Sequence, residues 1–323
     1  MNNPWDTIIP PSKDVSALRA DADHPLDLYW AKDHLGRYLF VYEYDADKKL
    51  EDSVTPDLVG IETIPMILEN GRARLVLVLK DKANWELFYS ICNDLLNATR
   101  LIKKASSAVD SILRRLYKWQ EFLKRNRSDI LSEEKIKGLI GELTFLRNHL
   151  IPKFGIVDAV KFWCGPEGAP QDFNVNDSAV EVKCQSGSTL PCVKIASPDQ
   201  LSSQLPKTYL YVVTLGKTTE DNEEALNLPE LIESIQTELQ YGTAQAAERF
   251  FDLLCEINYF HSNKYLEFNY LLLVEQAFEV KNGFPRVCPE DLSPGIIKLS
   301  YSLNLADCEP YSIDITDWEL IND

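Results

Sequence analysis

The amino-acid sequence predicts an α/β (α+β) protein in which a mostly β N-terminal region and a long helix precede a mixed core. Three observations support this class. The first 100 residues contain strand-like segments separated by turns, residues 102–123 carry an apolar stripe with helical spacing, and helical and strand-like patterns alternate after residue 132. At 323 residues and 45% apolar, the chain can bury one large core or two smaller ones.

Residues 1–100 are predicted to form the mostly β region. The stretches RYLFVYEYDA, LVGIETIPMIL and ARLVLVLKD are rich in β-branched and aromatic residues, and turns containing Asp, Pro or Gly separate them. The stretch NWELFYSICNDLLNATRLI then changes to helical spacing. We therefore expect strands followed by a helix.

Residues 101–131 are predicted to form a basic connecting helix. Between Arg100 and Arg127 the chain has nine Lys or Arg residues against Asp110 and Glu121. Two interpretations stay open: a solvated face over a packed seam, or a surface that contacts phosphates near an active site. A dimer seam is compatible with either. The apolar residues of the seam recur every three or four positions, at Ile102, Ala105, Val109, Ile112, Leu116, Trp119 and Leu123.

Residues 132–216 are predicted to form the core that carries the chemistry. Ser132 is a candidate N-cap for the helix EEKIKGLIGELTFLRNHL. Strand-like segments follow at residues 160–163, 172–175 and 179–184, then a short helix that begins at Ser197 and a buried strand, TYLYVVTL. Residues 217–323 are expected to add an α+β extension.

Composition limits the possible partners and compartments. A net charge of −17 argues against broad, nonspecific binding to a polyanion, so nucleic acid would have to meet a local basic surface. The seven cysteines show no paired spacing, which suits a reducing compartment better than a disulfide framework or a zinc site. With no signal-peptide pattern and no membrane-spanning run, we expect a soluble cytoplasmic protein with no membrane partner.

A short hairpin is predicted to bring two carboxylates together. If Asn176 and Asp177 form a two-residue turn, Asp172 lies opposite Glu181 on one face of the sheet, and Lys183 points the same way. A hard divalent cation between the two acids would turn their repulsion into attraction. A turn of another length would separate them. The alternative is that Glu181 and Lys183 are the solvated face of an edge strand.

Glu142 is a third carboxylate in an unusual setting. Its neighbours on the predicted helix face are apolar, and a carboxylate on a packed face needs a partner or a function. Gly138 and Gly141 each weaken the helix by about 1 kcal/mol relative to Ala. That cost is tolerable where a helix must closely approach another element.

The stretches GLIGELTFLRNHL, WCGPEGAPQDFNVNDSAVEVKC and VKIASPDQL resemble the prokaryotic family of PD-(D/E)XK motif proteins, a branch of the restriction-endonuclease-like superfamily. The resemblance covers most of the chain and is most specific over residues 138–205. Gln171 stands where the motif has proline. By this resemblance Asp172 is the motif aspartate, Glu181 its second acid, Lys183 its lysine and Glu142 the additional helix acid.

The resemblance implies a restriction-endonuclease-like core, with a mixed four-stranded sheet flanked by helices, and metal-dependent cleavage of DNA. Mg²⁺, for which Mn²⁺ would substitute, would be held by the three acids and the carbonyl of Val182. Lys183 would orient a water and stabilise the transition state. Three further residues are candidates for substrate binding: Gln185, Gln200 and Lys194.

Three classes of function remain open at this stage. The first is a Mg²⁺-dependent endodeoxyribonuclease in a bacterial restriction or antiphage defence system. DNA and proteins of that system would be its partners, and a homodimer is an open alternative to a single chain. The second is a catalytically weak or inactive subunit that binds nucleic acid or assembles a defence complex. The third is a regulatory interaction protein without nucleic-acid contact.

Overall fold

The computed structural model describes residues 3–45, 55–125, 130–187, 190–318 and 320. These residues form six α-helices and twelve strands, a mixed α/β architecture. The chain divides into two compact units: Met1–Asp129 with Phe260–Asn263, and Ile130–Tyr259 with Lys264–Asp323. None of the helices in the described ranges has the length and apolar character needed to cross a bilayer.

The first unit contains an antiparallel five-stranded sheet. Its strands are β1 (Val15–Arg19), β2 (Asp27–Asp33), β3 (Tyr38–Asp45), β4 (Ile61–Ile67) and β5 (Arg72–Leu79). They lie in the order β1-β2-β3-β5-β4. The last three coincide with the stretches predicted as strands, whereas the sequence analysis did not anticipate β1 and β2.

Two helices, α1 (Trp85–Thr99) and α2 (Ala105–Arg125), complete the first unit. The apolar stripe of α2 is buried as the sequence predicts, for example at Val109, Leu116 and Trp119. Not all of its basic residues face solvent, because Arg115 is only 5% exposed and pairs with Asp94 of α1. Residues 126–129 of the predicted connecting helix lie outside the described residues.

The second unit contains a mixed sheet of five strands, not the four implied by the resemblance. These are β6 (Phe173–Val175), β7 (Ser178–Ser186), β9 (Lys207–Thr218), β10 (Asn269–Glu279) and β12 (Ser312–Ile313), in the order β12-β10-β9-β7-β6. Only the β7–β9 pairing is parallel among them. The expected boundary between residues 216 and 217 falls within β9, and β10 pairs along β9. Residues expected to form an extension therefore belong to the same sheet.

Four helices pack with this sheet: α3 (Glu133–Phe145), α4 (Ile151–Phe162), α5 (Leu228–Leu239) and α6 (Ala244–Glu256). Ser132 caps α3 as predicted, since its side chain accepts a hydrogen bond from the backbone N–H of Lys135 at 3.4 Å. A single π-helical turn, Leu146–Leu150, joins α3 to α4.

The strand predicted at residues 160–163 is wrong, because residues 160–162 are the last turn of α4. Val160 and Ala159 are fully buried in the large core shared with α3 and the sheet. Packing of this helical face therefore overrides the local β preference of a β-branched residue. Trp163 alone bridges to Phe173 in strand fashion.

The segment between β7 and β9 contains one strand and a short helix, and the strand pairs with a later strand to form a small two-stranded sheet. The strands are β8 (Cys192–Ile195) and β11 (Tyr301–Asn304), which run antiparallel. Ser197 caps the 3-10 helix Pro198–Leu201 by accepting the N–H of Asp199 at 3.2 Å. This confirms the short helix predicted to begin at Ser197.

Candidate active site

The β6–β7 hairpin has the predicted register. Val175 pairs with Ser178, Asn174 with Ala179 and Phe173 with Val180. Asn176 occupies the left-handed region at φ 53°, which Asn tolerates better than most residues. Asn-Asp therefore acts as a two-residue turn despite the absence of glycine.

Asp172 lies just before β6, where the ladder ends, and its position is held from two directions. Its carbonyl oxygen accepts hydrogen bonds from the backbone N–H groups of Cys164 at 2.9 Å and Gly165 at 3.0 Å. Its carboxylate Oδ2 accepts from the backbone N–H of Val182 at 2.8 Å. A Cβ atom on Gly165 would lie 2.7 Å from Asp172 Oδ1, so only glycine fits beside this carboxylate.

Glu181 is the most buried carboxylate of the site, with 1% exposure. Its Oε1 accepts a hydrogen bond from Lys183 Nζ at 2.5 Å. Its Oε2 is buried and has no hydrogen-bond partner among the described residues. A buried carboxylate oxygen without a partner is costly, which points to a proton or a cation that belongs there.

Lys183 follows Glu181 on the same face of β7 and is half-buried. Besides the ion pair with Glu181, its Nζ donates to Gln200 Oε1 at 3.3 Å. The same oxygen of Gln200 accepts the backbone N–H of Ala196 at 2.7 Å. Lys183 and Glu181 therefore belong to a partly buried network, and the solvated edge-strand alternative does not describe them.

Glu142 lies in the last turns of α3, close to the strand that carries Glu181. Its Oε2 accepts a hydrogen bond from the indole N–H of Trp163 at 2.7 Å. The adjacent Gly141 explains the close approach, since a Cβ there would touch Val182 Cγ1 at 3.4 Å. The expected close approach is thus present at Gly141 and absent at Gly138, where a Cβ would meet nothing within 4 Å.

Burial raises the pKa of all three carboxyl groups, and the charge of Asp172 adds to the shift of the two glutamates. Burial, with the charge of Asp172 added, raises the pKa of Glu142 to about 8, and the Trp163 hydrogen bond opposes the shift. Burial raises the pKa of Asp172 to about 6, against the Val182 N–H and Lys183. Burial and Asp172 hold the pKa of Glu181 well above its usual range. One lysine does not neutralise three clustered acids, so the site favours positive charge.

The predicted substrate-binding residues have different surroundings. Gln200 contacts Lys183, as described above. Gln185 lies farther along β7, where its amide donates to Thr214 Oγ1 at 2.9 Å and accepts the backbone N–H of Cys192 at 3.1 Å. Lys194 is exposed on β8. Contact of these three residues with a substrate stays a prediction.

Two residues of the site were missed as functional candidates. Trp163 was assigned to a strand, yet its indole binds Glu142 across 21 residues. Gln171 was noted only as a departure from the motif proline, yet it is 5% exposed and its Nε2 donates to the carbonyl of Asp199 at 2.5 Å. Neither pairing has a local sequence signal. The glutamine at the position of the motif proline was nevertheless a sequence feature that could have marked Gln171 as a candidate.

The donor chemistry of the site fits a hard divalent cation. Carboxylate oxygens are the ligands that Mg²⁺ prefers, and Glu181 Oε2, which has no partner within the described ranges, is one such donor. Within the described ranges, however, no group of three or more His, Cys, Asp or Glu side chains is arranged to hold a metal ion. The residues thus offer suitable donors without a ready three-ligand cage.

Comparison with known proteins adds a family. A family model described as "Putative PD-(D/E)XK family member, (DUF4420)" matches residues 1–306. No curated protein and no solved structure shows significant similarity to the chain. The match confirms the resemblance seen in the sequence, which covers most of the chain and is most specific over residues 138–205. The chain therefore belongs to the DUF4420 family of PD-(D/E)XK-type proteins.

Proposed function

We propose that this protein is a Mg²⁺-dependent nuclease that hydrolyses DNA phosphodiester bonds at the site formed by Glu142, Asp172, Glu181 and Lys183. The observation that carries the proposal is Glu181. One of its oxygens is paired to Lys183, and the other is buried beside two more acids and has no partner in the part of the chain that the structure describes. A purely structural ion pair has no need of the additional acids, because each raises the cost of burial.

The carboxylates would serve as metal ligands. Asp172 and Glu181 would hold Mg²⁺, with Glu142 and the carbonyl of Val182 as further ligands. The ion would supply activation of a water at neutral pH and neutralisation of charge on the phosphate. Mn²⁺ has a similar preference for oxygen ligands and should substitute.

Lys183 would act on the phosphate and the attacking water. Its ammonium group is held at the carboxylate cluster by Glu181 and Gln200. A positive donor fixed in a partly buried site stabilises the negative charge that develops in phosphoryl transfer more than a solvated lysine does. Trp163 would hold Glu142 Oε2 in place and leave the other oxygen for the cation.

The biological setting is part of the proposal. The family resemblance favours an endonuclease in a bacterial restriction or antiphage defence system, acting in the cytoplasm with protein partners of that system. No disulfide joins the seven cysteines, all of which lie in the described ranges, as a reducing compartment requires. The net charge of −17 favours a partner that helps to bring DNA to the site.

The test is DNA cleavage by the purified protein, with its partner if one is found. The wild type should cut plasmid DNA with Mg²⁺ or Mn²⁺ and stop when a chelator is added. Lys183→Ala should reduce the rate by about 10²-fold or more, because it removes a fixed charge from the transition state.

A matched control is available in Lys281. It forms an ion pair with Glu279, two residues before it, at 2.6 Å, but that pair is exposed. Lys281→Ala should cut at the wild-type rate. If Lys183→Ala also cuts at that rate, the assignment of the nuclease to this site fails. DNA binding without metal-dependent cutting would instead favour the inactive assembly subunit.

A further inference from the structure

Gln171 connects two segments of the candidate site that are far apart in sequence. Its side-chain amide donates to the carbonyl of Asp199 at 2.5 Å, with the carbonyl of Gln200 at 3.4 Å. Both acceptors belong to the 3-10 helix Pro198–Leu201. Gln171 itself is 5% exposed, so its side chain makes these contacts from a buried position.

One end of this connection is firmly placed. Gln171 directly precedes Asp172, whose carbonyl and carboxylate are both hydrogen-bonded to backbone N–H groups, those of Cys164 and Gly165 on one side and Val182 on the other. The backbone from which the Gln171 side chain extends therefore has little freedom to move relative to β7.

The other end leads to the lysine. Gln200 lies in the 3-10 helix, and its Oε1 accepts from Lys183 Nζ at 3.3 Å. A four-residue 3-10 helix has weak internal hydrogen bonding, so its position depends on outside contacts. Gln171 contributes one of these contacts, and Arg286 contributes another by donating to the carbonyl of Leu201.

We propose that Gln171 is a positioning residue that holds Gln200 against Lys183 and so directs the ammonium group toward Glu181. The inference rests on the proposed function, because it assigns a part in the same site. A proline in this place has no side-chain donor and could not make the connection. Glutamine in place of the motif proline thus adds a contact that helps to hold Lys183 in position.

The experiment measures the accessibility of Lys183 directly, without metal or DNA. The intact protein is labelled with a dilute amine-acetylating reagent, and peptide mass spectrometry gives the rate at Lys183 relative to exposed Lys194. Gln171→Met keeps the side-chain length but removes the donor. It should raise the ratio about fivefold, the population change that the loss of one hydrogen bond allows. Gln171→Asn, which is one carbon shorter, should raise it less and serves if the Met variant does not fold.

Asn269 offers a matched control. It is 8% exposed and its side-chain amide also donates to a backbone carbonyl, that of Leu266 at 2.7 Å. Asn269→Leu should lower thermal stability to a similar degree and leave the labelling ratio of Lys183 unchanged. An unchanged ratio in the folded Gln171 variant, or an equal rise in Asn269→Leu, would overturn the positioning role.

The outcome is independent of the nuclease test. A rise in labelling with a wild type that does not cut DNA would support the positioning role and refute the proposed function. If the wild type does cut, Gln171→Met should lower kcat and leave the KM for DNA nearly unchanged, since the proposal gives Gln171 a contact with the 3-10 helix and none with DNA. A change in KM alone would contradict the proposal.

Discussion

Each unit of the molecule contains buried carboxylate groups, and the two sites differ in how completely hydrogen bonds and opposite charges satisfy the carboxylate oxygens. In the first unit, both oxygens of Asp94 accept hydrogen bonds from Arg115, and Oδ2 also accepts the indole N–H of Trp119 at 2.9 Å. In the second unit, Glu142 likewise accepts an indole N–H, but it shares a site with two other acids.

The difference supports a structural role for the Asp94 network and the proposed functional role for the acids of the second unit. The Asp94 group balances a buried anion with a buried cation and additional hydrogen bonds, so its charges are satisfied and removal of either partner is costly. Among the described residues, the three acids around Glu181 have one cation, Lys183, close to them. One carboxylate oxygen, Glu181 Oε2, has no hydrogen-bond partner there. Such a deficit of positive charge weakens a fold unless a ligand corrects it.

The largest expected effect is on the structural network. Arg115→Met leaves Asp94 buried without its cation and should lower the free energy of unfolding by about 3–5 kcal/mol. The loss should be the same with and without Mn²⁺. Lys124→Met, on the same helix, breaks only an exposed ion pair with Glu121 and should cost less than about 0.5 kcal/mol. Chemical denaturation measures both. Equal losses of unfolding free energy would show that breaking the buried Arg115–Asp94 pair costs no more than breaking an exposed ion pair.

A smaller effect of the opposite kind is expected at Glu142. Glu142→Gln removes one titratable acid from the crowded site and keeps an oxygen for the Trp163 N–H. Without metal, the melting temperature should rise or stay unchanged. With Mn²⁺ at about 100 times its dissociation constant, the wild type should gain about 2.7 kcal/mol by mass action, and the variant clearly less.

The control for Glu142 is Glu133, which lies on the same helix and pairs with Lys217 at 2.8 Å. Glu133→Gln should cause a small loss that Mn²⁺ does not alter. If Glu142→Gln instead lowers stability by about 1–3 kcal/mol whether or not metal is present, Glu142 is a structural hydrogen-bond partner like Asp94. The two sites would then both be structural, and the difference inferred between them would be wrong.

The smallest expected effect is a pH dependence of the metal-free protein. The folded-state pKa values of Glu142, about 8, and Asp172, about 6, exceed the values of about 4.3 and 3.9 in unfolded chains. The folded protein therefore binds these protons more tightly. This stabilisation is complete below about pH 4 and is lost as the pH rises through about 6 and about 8.

Thermal melts of the metal-free wild type and Glu142→Gln between pH 5 and 9 measure this effect. The melting temperature of the variant relative to that of the wild type should increase as the pH rises. Glu167 provides a control without pH dependence in this range. Arg249 holds its pKa below the usual range, so its contribution to stability is already complete above about pH 5, and Glu167→Gln should differ from the wild type by an amount that stays nearly constant. A difference for Glu142→Gln that does not vary with pH would show that its carboxyl is charged throughout.

Prediction from sequence succeeded where short-range chemistry decides the structure. The Asn176–Asp177 turn sets the hairpin register, and a turn of two residues leaves one pairing available to the strands that it joins. The cap at Ser132 and the helix that begins at Ser197 depend on hydrogen bonds to residues two or three positions away. Prediction failed at residues 160–162, because packing of α4 outweighed the β preference of Val160.

The sequence alone determined which residue types could form the site: an aspartate before a hairpin, a glutamate and a lysine two residues apart on one strand, and a helical acid beside Gly141. Only the tertiary structure decided which atoms are satisfied. Trp163 reaches Glu142 across 21 residues and Gln171 reaches Asp199 across 28. Contacts of this range depend on how whole elements pack, which no local pattern encodes. The same packing leaves Glu181 Oε2 without a partner among the described residues, whereas both oxygens of Asp94 accept hydrogen bonds, and this contrast supports the proposed metal site.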